Sequence, residues 1–573
     1  PCTCSRRVET MTALQPSARA PLNLEALALR TGLAAIVAGL VLGIAVPLVC
    51  LFQLALESRD GRFVGAENLL RFLATPSLAQ SVWNSIWTAG VVVFITVPVA
   101  FGYAYMLTRT CAKGRGALNA IAAIPLLAPS VLPAIALIYL FGNQGLLRPI
   151  LPEGFDIYGP WGIIMAHVFF AFPQALIILV TALSTADARL YEAAASLGTP
   201  ARRIFTTITL PGARYGLIGA IFVVFTEVIT DFGVAKVIGG QFNVLATDVY
   251  KQVVGQQNFP MGATIGLVLL LPAVAAFLVD RAVQRRQQAQ LTARAVPLVP
   301  QPDARRDGFA LGYGLLIAAP ILLILGIAAW ASFVSYWPYN LSLTLRHYDF
   351  NEVDAQGWNA VWNTLRLGVW SACIGTPLVF ITAYLLDRVK DATRLVTLGR
   401  ILVLIPLSVP GLVMGLAYIF FFNAPWNPLN LLYGTLAILI LNTVMRLVPV
   451  TYVTATTALT AIDREFDVVG ASLKVPAWRT FFRVTVPLCL PTLLGIWIYF
   501  FTNAATTLSA IIFLYVAGTK TASIAIVNMD EAGATASAAA MGMIIVALCA
   551  AAKLVQLTLV GWIERRRKRW TER

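Results

Sequence analysis

Glu227 and Asp231 stand four residues apart inside an apolar stretch, with Lys236 just beyond, and Arg446 lies inside another. Four-residue spacing puts both carboxylates on one helical face. Inside a bilayer an ionisable side chain costs about 2.5–3.5 kcal/mol on insertion scales, so it pairs with a neighbour or serves a polar pathway. The functional reading has Glu227, Asp231 and Lys236 beside a pathway, meeting a zwitterion, with Arg446 as counter-charge for an anion. In the packing-only reading, Glu227 and Asp231 pair with Lys236 or neighbouring helices, Lys236 snorkels outward and Arg446 is a structural partner. Catalysis has little to draw on. His167 and His347 are the only histidines, and His167, the approximate positional relative of Arg446, reads as a packed core residue. The seven cysteines contain no CxxC pair, so no metal site, cofactor or disulfide framework is indicated.

A second constellation is polar. Glu192-Ala193-Ala194-Ala195-Ser196-Leu197-Gly198 is followed, after nine residues, by Ile208-Thr209-Leu210-Pro211. The residues from Asp187 to Leu197 predict a helix that Gly198 stops in a left-handed conformation. Thr199 is placed to cap a second helix opening with Pro200. Leu190, Ala194 and Leu197 share one face, so the segment predicts a stiff, partly apolar knob.

The elements that must position these residues are membrane spans. The chain has 573 residues, 58% hydrophobic and 12% charged, with a mean hydropathy of +0.78. Soluble domains carry about 25% charged residues, and disorder needs still more charge, so both classes are excluded. Apolar stretches long enough to cross a core about 30 Å thick recur throughout. Spans are expected near Leu33–Leu56, Val82–Leu107, Leu118–Phe141, Trp161–Leu183, Leu217–Ile238 and Ala263–Val279. Six more follow near Phe309–Phe333, Val361–Leu386, Ile401–Phe422, Leu432–Val453, Leu490–Val516 and Ala538–Val560. The fold class is an all-α polytopic membrane protein of about twelve helices. Its segments are a tail (1–32), a first half (33–280), a polar linker (281–308), a second half (309–560) and a basic tail (561–573).

Net charge is +15, a balance that elsewhere signals nucleic acid. Here the basic residues fill short loops instead. Alternate loops and tails beginning with the N-terminus hold 31 Lys and Arg, the others 7. Under the positive-inside rule both termini, the linker and the loops 184–214 and 455–489 face the cytoplasm.

The halves repeat. Val82-Trp83-Asn84-Ser85 returns as Val361-Trp362-Asn363-Thr364, and Ile124-Pro125-Leu126-Leu127-Ala128-Pro129 as Ile405-Pro406-Leu407-Ser408-Val409-Pro410. Two six-span halves in parallel imply a pseudo-two-fold axis along the membrane normal, with a pathway between them. Pro125, Pro129 and Pro133 in span three and Pro406 and Pro410 in span nine break helical bonding, which suits packed or cavity-lining helices. Pro129 and Pro410 join Glu227, Asp231, Lys236 and Arg446 as pathway candidates.

The spacing EAA-x3-G-x9-I-x-LP resembles the signature of type I ATP-binding-cassette importer permeases of the MetI-like superfamily. In that family the loop is the helix that docks into an ATPase subunit. Glu192, Ala193, Ala194, Gly198, Ile208, Leu210 and Pro211 match it. The second loop is degenerate: Val468 replaces Glu, Lys474 replaces Gly, and Val484 and Val486 replace Ile and Leu. Asp467, Gly470 and Pro487 are its coupling candidates. The resemblance covers nearly the whole chain and implies a fused double permease of a bacterial inner membrane. Its implied partners are two separate ATPase subunits, an external substrate-binding protein and membrane lipid, with no nucleic acid. Fused permeases of this kind serve ferric iron, thiamine and 2-aminoethylphosphonate. The run from Val228 to Gly240 and Tyr336-Trp337-Pro338-Tyr339-Asn340-Leu341 look most like the last, with ferric iron or another small solute as the alternative. The chain is not expected to be an enzyme, because it contains no GxxxxGK[ST] phosphate loop. An ion-coupled carrier of twelve helices is the rival class, with Glu227 or Asp231 as ion site, yet such a carrier has no use for the EAA loop.

Overall fold

The computed structural model describes residues 24–288, 296, 298–389, 392–463, 465–473 and 475–571. Most of the N-terminal tail, linker residues 289–295 and Lys474 lie outside the described residues, as do the side chains of 567–573. Among the described residues, eight helices are long and apolar enough to cross a bilayer: Leu27–Ala55, Pro76–Arg109, Pro160–Ser184, Phe259–Val279, Ala304–Ala331, Trp358–Arg388, Leu436–Thr460 and Thr535–Arg566. Four bent helix pairs pass the same test jointly, and the count reaches twelve when each pair is taken as one crossing.

The prolines explain two of the bends. Arg115–Leu127 meets Val131–Phe141 at 103°, and Thr393–Leu407 meets Gly411–Phe422 at 115°. Ala128 is extended (φ −98°, ψ 142°), because the ring of the following proline pushes its predecessor out of the helical region. In the second copy Pro410 itself is extended (φ −55°, ψ 143°). Pro133 causes no break. It sits in the first turn of Val131–Phe141, where its missing N–H would have had no helical partner.

Spans five and eleven differ from expectation. They were expected to run to Ile238 and Val516, yet the helices Arg214–Thr230 and Leu490–Thr506 stop at 17 residues each. That is about 25 Å, short of a full hydrocarbon core. Asp231 and Thr507 then turn extended, with ψ of 134° and 136°, and the apolar sequence continues beyond each break towards the outer side, where Ile238 accepts the N–H of Gly159 at 2.9 Å. Gly233 permits the close packing just after the break: a Cβ there would lie 2.7 Å from Ser130 Oγ and 2.9 Å from Val131.

The repeated Asn-Ser/Thr pair ties down the outer helices that follow. Ser85 Oγ accepts the N–H of Leu245, first residue of Leu245–Tyr250, at 2.8 Å. Thr364 Oγ1 does the same for Ala522, first residue of Ala522–Glu531, also at 2.8 Å. Asn84 donates to the Asn243 carbonyl at 2.9 Å, and Asn363 to those of Gly518 and Lys520 at 2.9 and 3.0 Å. A helix start left without such a partner would cost about 1 kcal/mol.

The first helix of each half packs on the other half. Leu24–Leu40 lies on Thr393–Leu404, and Val46–Ala55 on Gly411–Phe422. The Tyr418 hydroxyl donates to the Gly43 carbonyl at 2.6 Å. Reciprocally, Ala304–Ala331 lies on Arg115–Ala123 and Val131–Phe141, and the Tyr313 hydroxyl donates to Val99 at 2.9 Å.

Candidate functional site

A cavity of about 280 Å³ opens where the breaks of spans three and nine meet the C-terminal ends of the helices Arg214–Thr230 and Leu490–Thr506. Both halves line it. The first contributes Ser130, Gln174, Glu227 and Asp231; the second contributes Pro406 to Gly411, Arg446, Tyr499 and Asn503. Four pathway candidates therefore converge: Glu227, Asp231, Arg446 and Pro410. Pro129 lies in the break beside Ser130 without lining the cavity.

Lys236 is the exception. Because span five breaks at Asp231, Lys236 falls in the separate short helix Gly233–Ile238, where it ion-pairs with Glu531 of the second half and lies 5.0 Å from the Tyr250 ring centre. It joins the halves near their outer ends and does not pair with Glu227 or Asp231.

Asp231 shapes the acidic wall. Its Oδ2 accepts the Val234 N–H at 2.9 Å and lies 3.6 Å from Nε2 of His167. His167 is fully buried, and its Nδ1 is 2.8 Å from the Ile163 carbonyl. A carbonyl only accepts, so Nδ1 donates, and Nε2 faces Asp231 without a hydrogen bond. His167 is thus a core residue that also backs the cavity, a role invisible from its apolar surroundings in sequence. Glu227 is held by Gln174, whose amide donates to Oε1. Gln174 and Tyr499 were missed at the sequence level. Gln174 is one of the few polar residues in span four, which is the signal that marks it.

Arg446 enters from the opposite side, within Leu436–Thr460. Its Nη1 lies 2.9 Å from where a Cβ on Gly411 would stand, so glycine at 411 makes room for the guanidinium at the start of Gly411–Phe422. The second-half counterparts of Glu227 and Asp231 are Asn503 and Thr507. Asn503 donates to the carbonyl of Tyr499 at 2.9 Å.

The loop after span four builds the expected knob. Asp187 caps Ala188–Ser196 by accepting the Arg189 N–H. Gly198, at φ +64°, ends it: the N–H of Gly198 bonds Ala195 and that of Thr199 bonds Ala194, both at 3.0 Å. That double closure is what a left-handed glycine permits. One detail differs from expectation. Pro200, with ψ of 146°, is the residue before the next helix Ala201–Ile204, and the Thr199 side chain caps nothing there. The rigid ring holds the entry angle, and the Pro200 carbonyl accepts the Arg203 and Ile204 N–H groups. Glu192, Ala193, Leu190 and Leu197 are exposed, while Ala194 is buried. Ile208 is half-buried and Leu210 and Pro211 exposed on the following helix.

A feature absent from the sequence reading fixes the knob to the bundle. At Phe205–Thr209 the helix widens, so that the N–H of Leu210 reaches the carbonyl of Phe205 five residues back. The Phe205 ring packs edge-on against Phe101 and Tyr105, at 6.1 and 5.9 Å. The second loop repeats this. Phe481–Thr485 widens in the same way, and Phe481 packs on Phe380 and Tyr384 at 5.7 and 4.6 Å. Aligning the repeats shows the signal: Phe205 and Phe481 keep the offset of Pro211 and Pro487. Asp467 and Gly470 fall in the helix Glu465–Ser472, with their further surroundings outside the described residues. Pro487 lies in the short helix Val486–Leu488 ahead of span eleven.

A family model described as "binding-protein-dependent transport system inner membrane component" matches residues 97–289 and again 375–568. Each match begins inside the second span of a half, leaving out the crossing first helix. The ferric transport system permease protein FbpB of Actinobacillus pleuropneumoniae is 27% identical over 522 residues, which cover 88% of this chain and 74% of the relative. The thiamine transport system permease protein ThiP of Brucella abortus is 30% identical over 195 residues, 33% of this chain and 35% of the relative. The spermidine/putrescine transport system permease protein PotB of Haemophilus influenzae is 27% identical over 209 residues, 35% of this chain and 73% of the relative. The 2-aminoethylphosphonate resemblance gains no support from these relatives.

Proposed function

From the premise that the chain belongs to the binding-protein-dependent transport system inner membrane components, we propose that it is a complete pair of permease halves driven through its two cytoplasmic elbows. An external binding protein delivers the solute, and two separate ATPase subunits, one per elbow, close and open the cavity between the halves. The observation that carries this reading is the recurrence of one helix–break–helix elbow at 187–211 and 463–487, each anchored by an aromatic cluster, beneath a cavity shared by both halves. An ion-coupled carrier has no use for two such elbows. The test is co-purification with the ATPase encoded beside this gene, followed by ATP-dependent uptake. Unchanged uptake in Glu192→Ala and Gly198→Ala would remove the docking assignment.

Ferric iron is the first cargo to try, because FbpB, the relative matched over 88% of this chain, is named for ferric transport. A small zwitterion such as 2-aminoethylphosphonate is the second, supported by the cavity having carboxylates on one wall and a guanidinium on the other. Ligand titration of the cognate binding protein decides between them.

A further inference from the structure

Each wall of the central cavity carries a buried group that the protein leaves without a complement. On the first-half wall Glu227 Oε2 accepts no hydrogen bond among the described residues, although Gln174 holds Oε1. On the second-half wall Arg446 Nε donates to none. One pole needs a donor and the other an acceptor, and no ion pair joins Arg446 to Glu227 or Asp231 among the described residues. Leaving a buried charge uncompensated is costly, the more so away from water, so each pole favours a solute group that completes it.

We infer that the cavity is an internal site for a small zwitterion, with Arg446 taking its oxyacid and Glu227, backed by Asp231, taking its ammonium group. This rests on the second cargo reading above. A planar guanidinium suits a carboxylate, sulfonate or phosphonate through paired N–H donors. Glu227 keeps a free lone-pair edge for an ammonium, and its orientation is set by Gln174. The available 280 Å³ fits a solute of roughly ten heavy atoms or fewer. The asymmetry also assigns an orientation. With two equivalent walls a dipolar solute would bind either way round; with Asn503 and Thr507 opposite Glu227 and Asp231, only one alignment satisfies both ends.

The test uses the complex of this chain with its ATPase subunits in nanodiscs, without binding protein. The probes are β-alanine, taurine and 2-aminoethylphosphonate, which share an ammonium and an oxyacid on a two-carbon spacer. Ethylphosphonate and ethylamine each lack one end, and ferric citrate serves as the competing cargo. The expected result is saturable binding of a zwitterion, weakened about tenfold or more by Arg446→Gln and by Glu227→Gln. Ethylphosphonate should respond to the Arg446 change alone and ethylamine to the Glu227 change alone. A folding defect weakens every probe alike, so equal losses across all probes would overturn the assignment. So would absent zwitterion binding, or binding of ferric citrate that both variants leave intact. ATP hydrolysis stimulated by the binding protein is followed on the same complex. If it persists while no zwitterion binds, this inference fails and the importer reading stands.

Discussion

The two cytoplasmic elbows share a backbone but not a surface. Pro200 and Pro476 precede the second helix with nearly the same angles (φ −66°, ψ 146° and φ −64°, ψ 142°). Both elbows widen at an aromatic residue and bend sharply into the next span, by 61° and 75°. Their exposed faces differ. The first shows Leu190, Glu192 and Leu197; the second shows Phe466, Val469, Leu473, Trp478 and Phe482. The signature residues Glu192 and Gly198 therefore belong to the first elbow alone, Val468 and Lys474 standing at their positions in the second. Prolines and aromatic anchors are common to both, and the signature decorates one copy. The cavity walls diverge in the same way, carboxylates facing an amide and a hydroxyl on an otherwise repeated scaffold.

The comparison is most exposed at the anchors. Phe481→Ala should cost about 3 kcal/mol of local stability, since the ring is almost fully buried. Phe205→Ala should act similarly, and both should uncouple ATP hydrolysis from transport. Thermal unfolding and stimulated ATPase rates measure this, and a silent Phe205→Ala would end the equivalence of the elbows. Next in size are the apolar residues of the second elbow. Phe466→Ala or Trp478→Ala should weaken ATPase binding by about 2 kcal/mol if that face enters a groove, with no change in salt dependence. On the first elbow, Gly198→Ala forces a Cβ into a left-handed position and should cost about 1 kcal/mol. Glu192→Gln should cost less, and its effect should fade in high salt, because the carboxylate is exposed. An identical salt response of the two elbows would contradict their division into a charged and an apolar surface.

The smallest effect is at the outer ends. Burial and neighbouring Glu531 push the Asp530 carboxyl up to about 6, against the pull of Lys236. The folded chain then holds this proton more tightly than the unfolded one. Stability from this group is present at about pH 4, falls as pH rises towards 6 and stays low above it. Asp530→Asn should flatten that decline, as read from unfolding temperatures at pH 4 and 7.

Much of this was legible in sequence. Apolar length marked the eight long helices and the four bent pairs, Pro129 and Pro410 marked two of the bends, and Gly198 marked the helix stop. The breaks in spans five and eleven were hidden because hydropathy continues smoothly past Thr230 and Thr506, and no proline or glycine stands at Asp231 or Thr507 to mark them. The packing after the first break depends on Gly233 meeting Ser130, a contact about a hundred residues apart in sequence. The anchors at Phe205 and Phe481 were hidden because an aromatic residue at an elbow looks like any interfacial ring until its two neighbours are known.

The exchange of first helices has its own consequence. Were the gene cut within the linker, the two products would each carry an arm made to grip its sister. Each would also leave bare the flank that the sister's arm normally covers, through Tyr418 on one side and Tyr313 on the other. The fusion guarantees that both arms arrive together and in equal number, so the clasp closes within a single molecule.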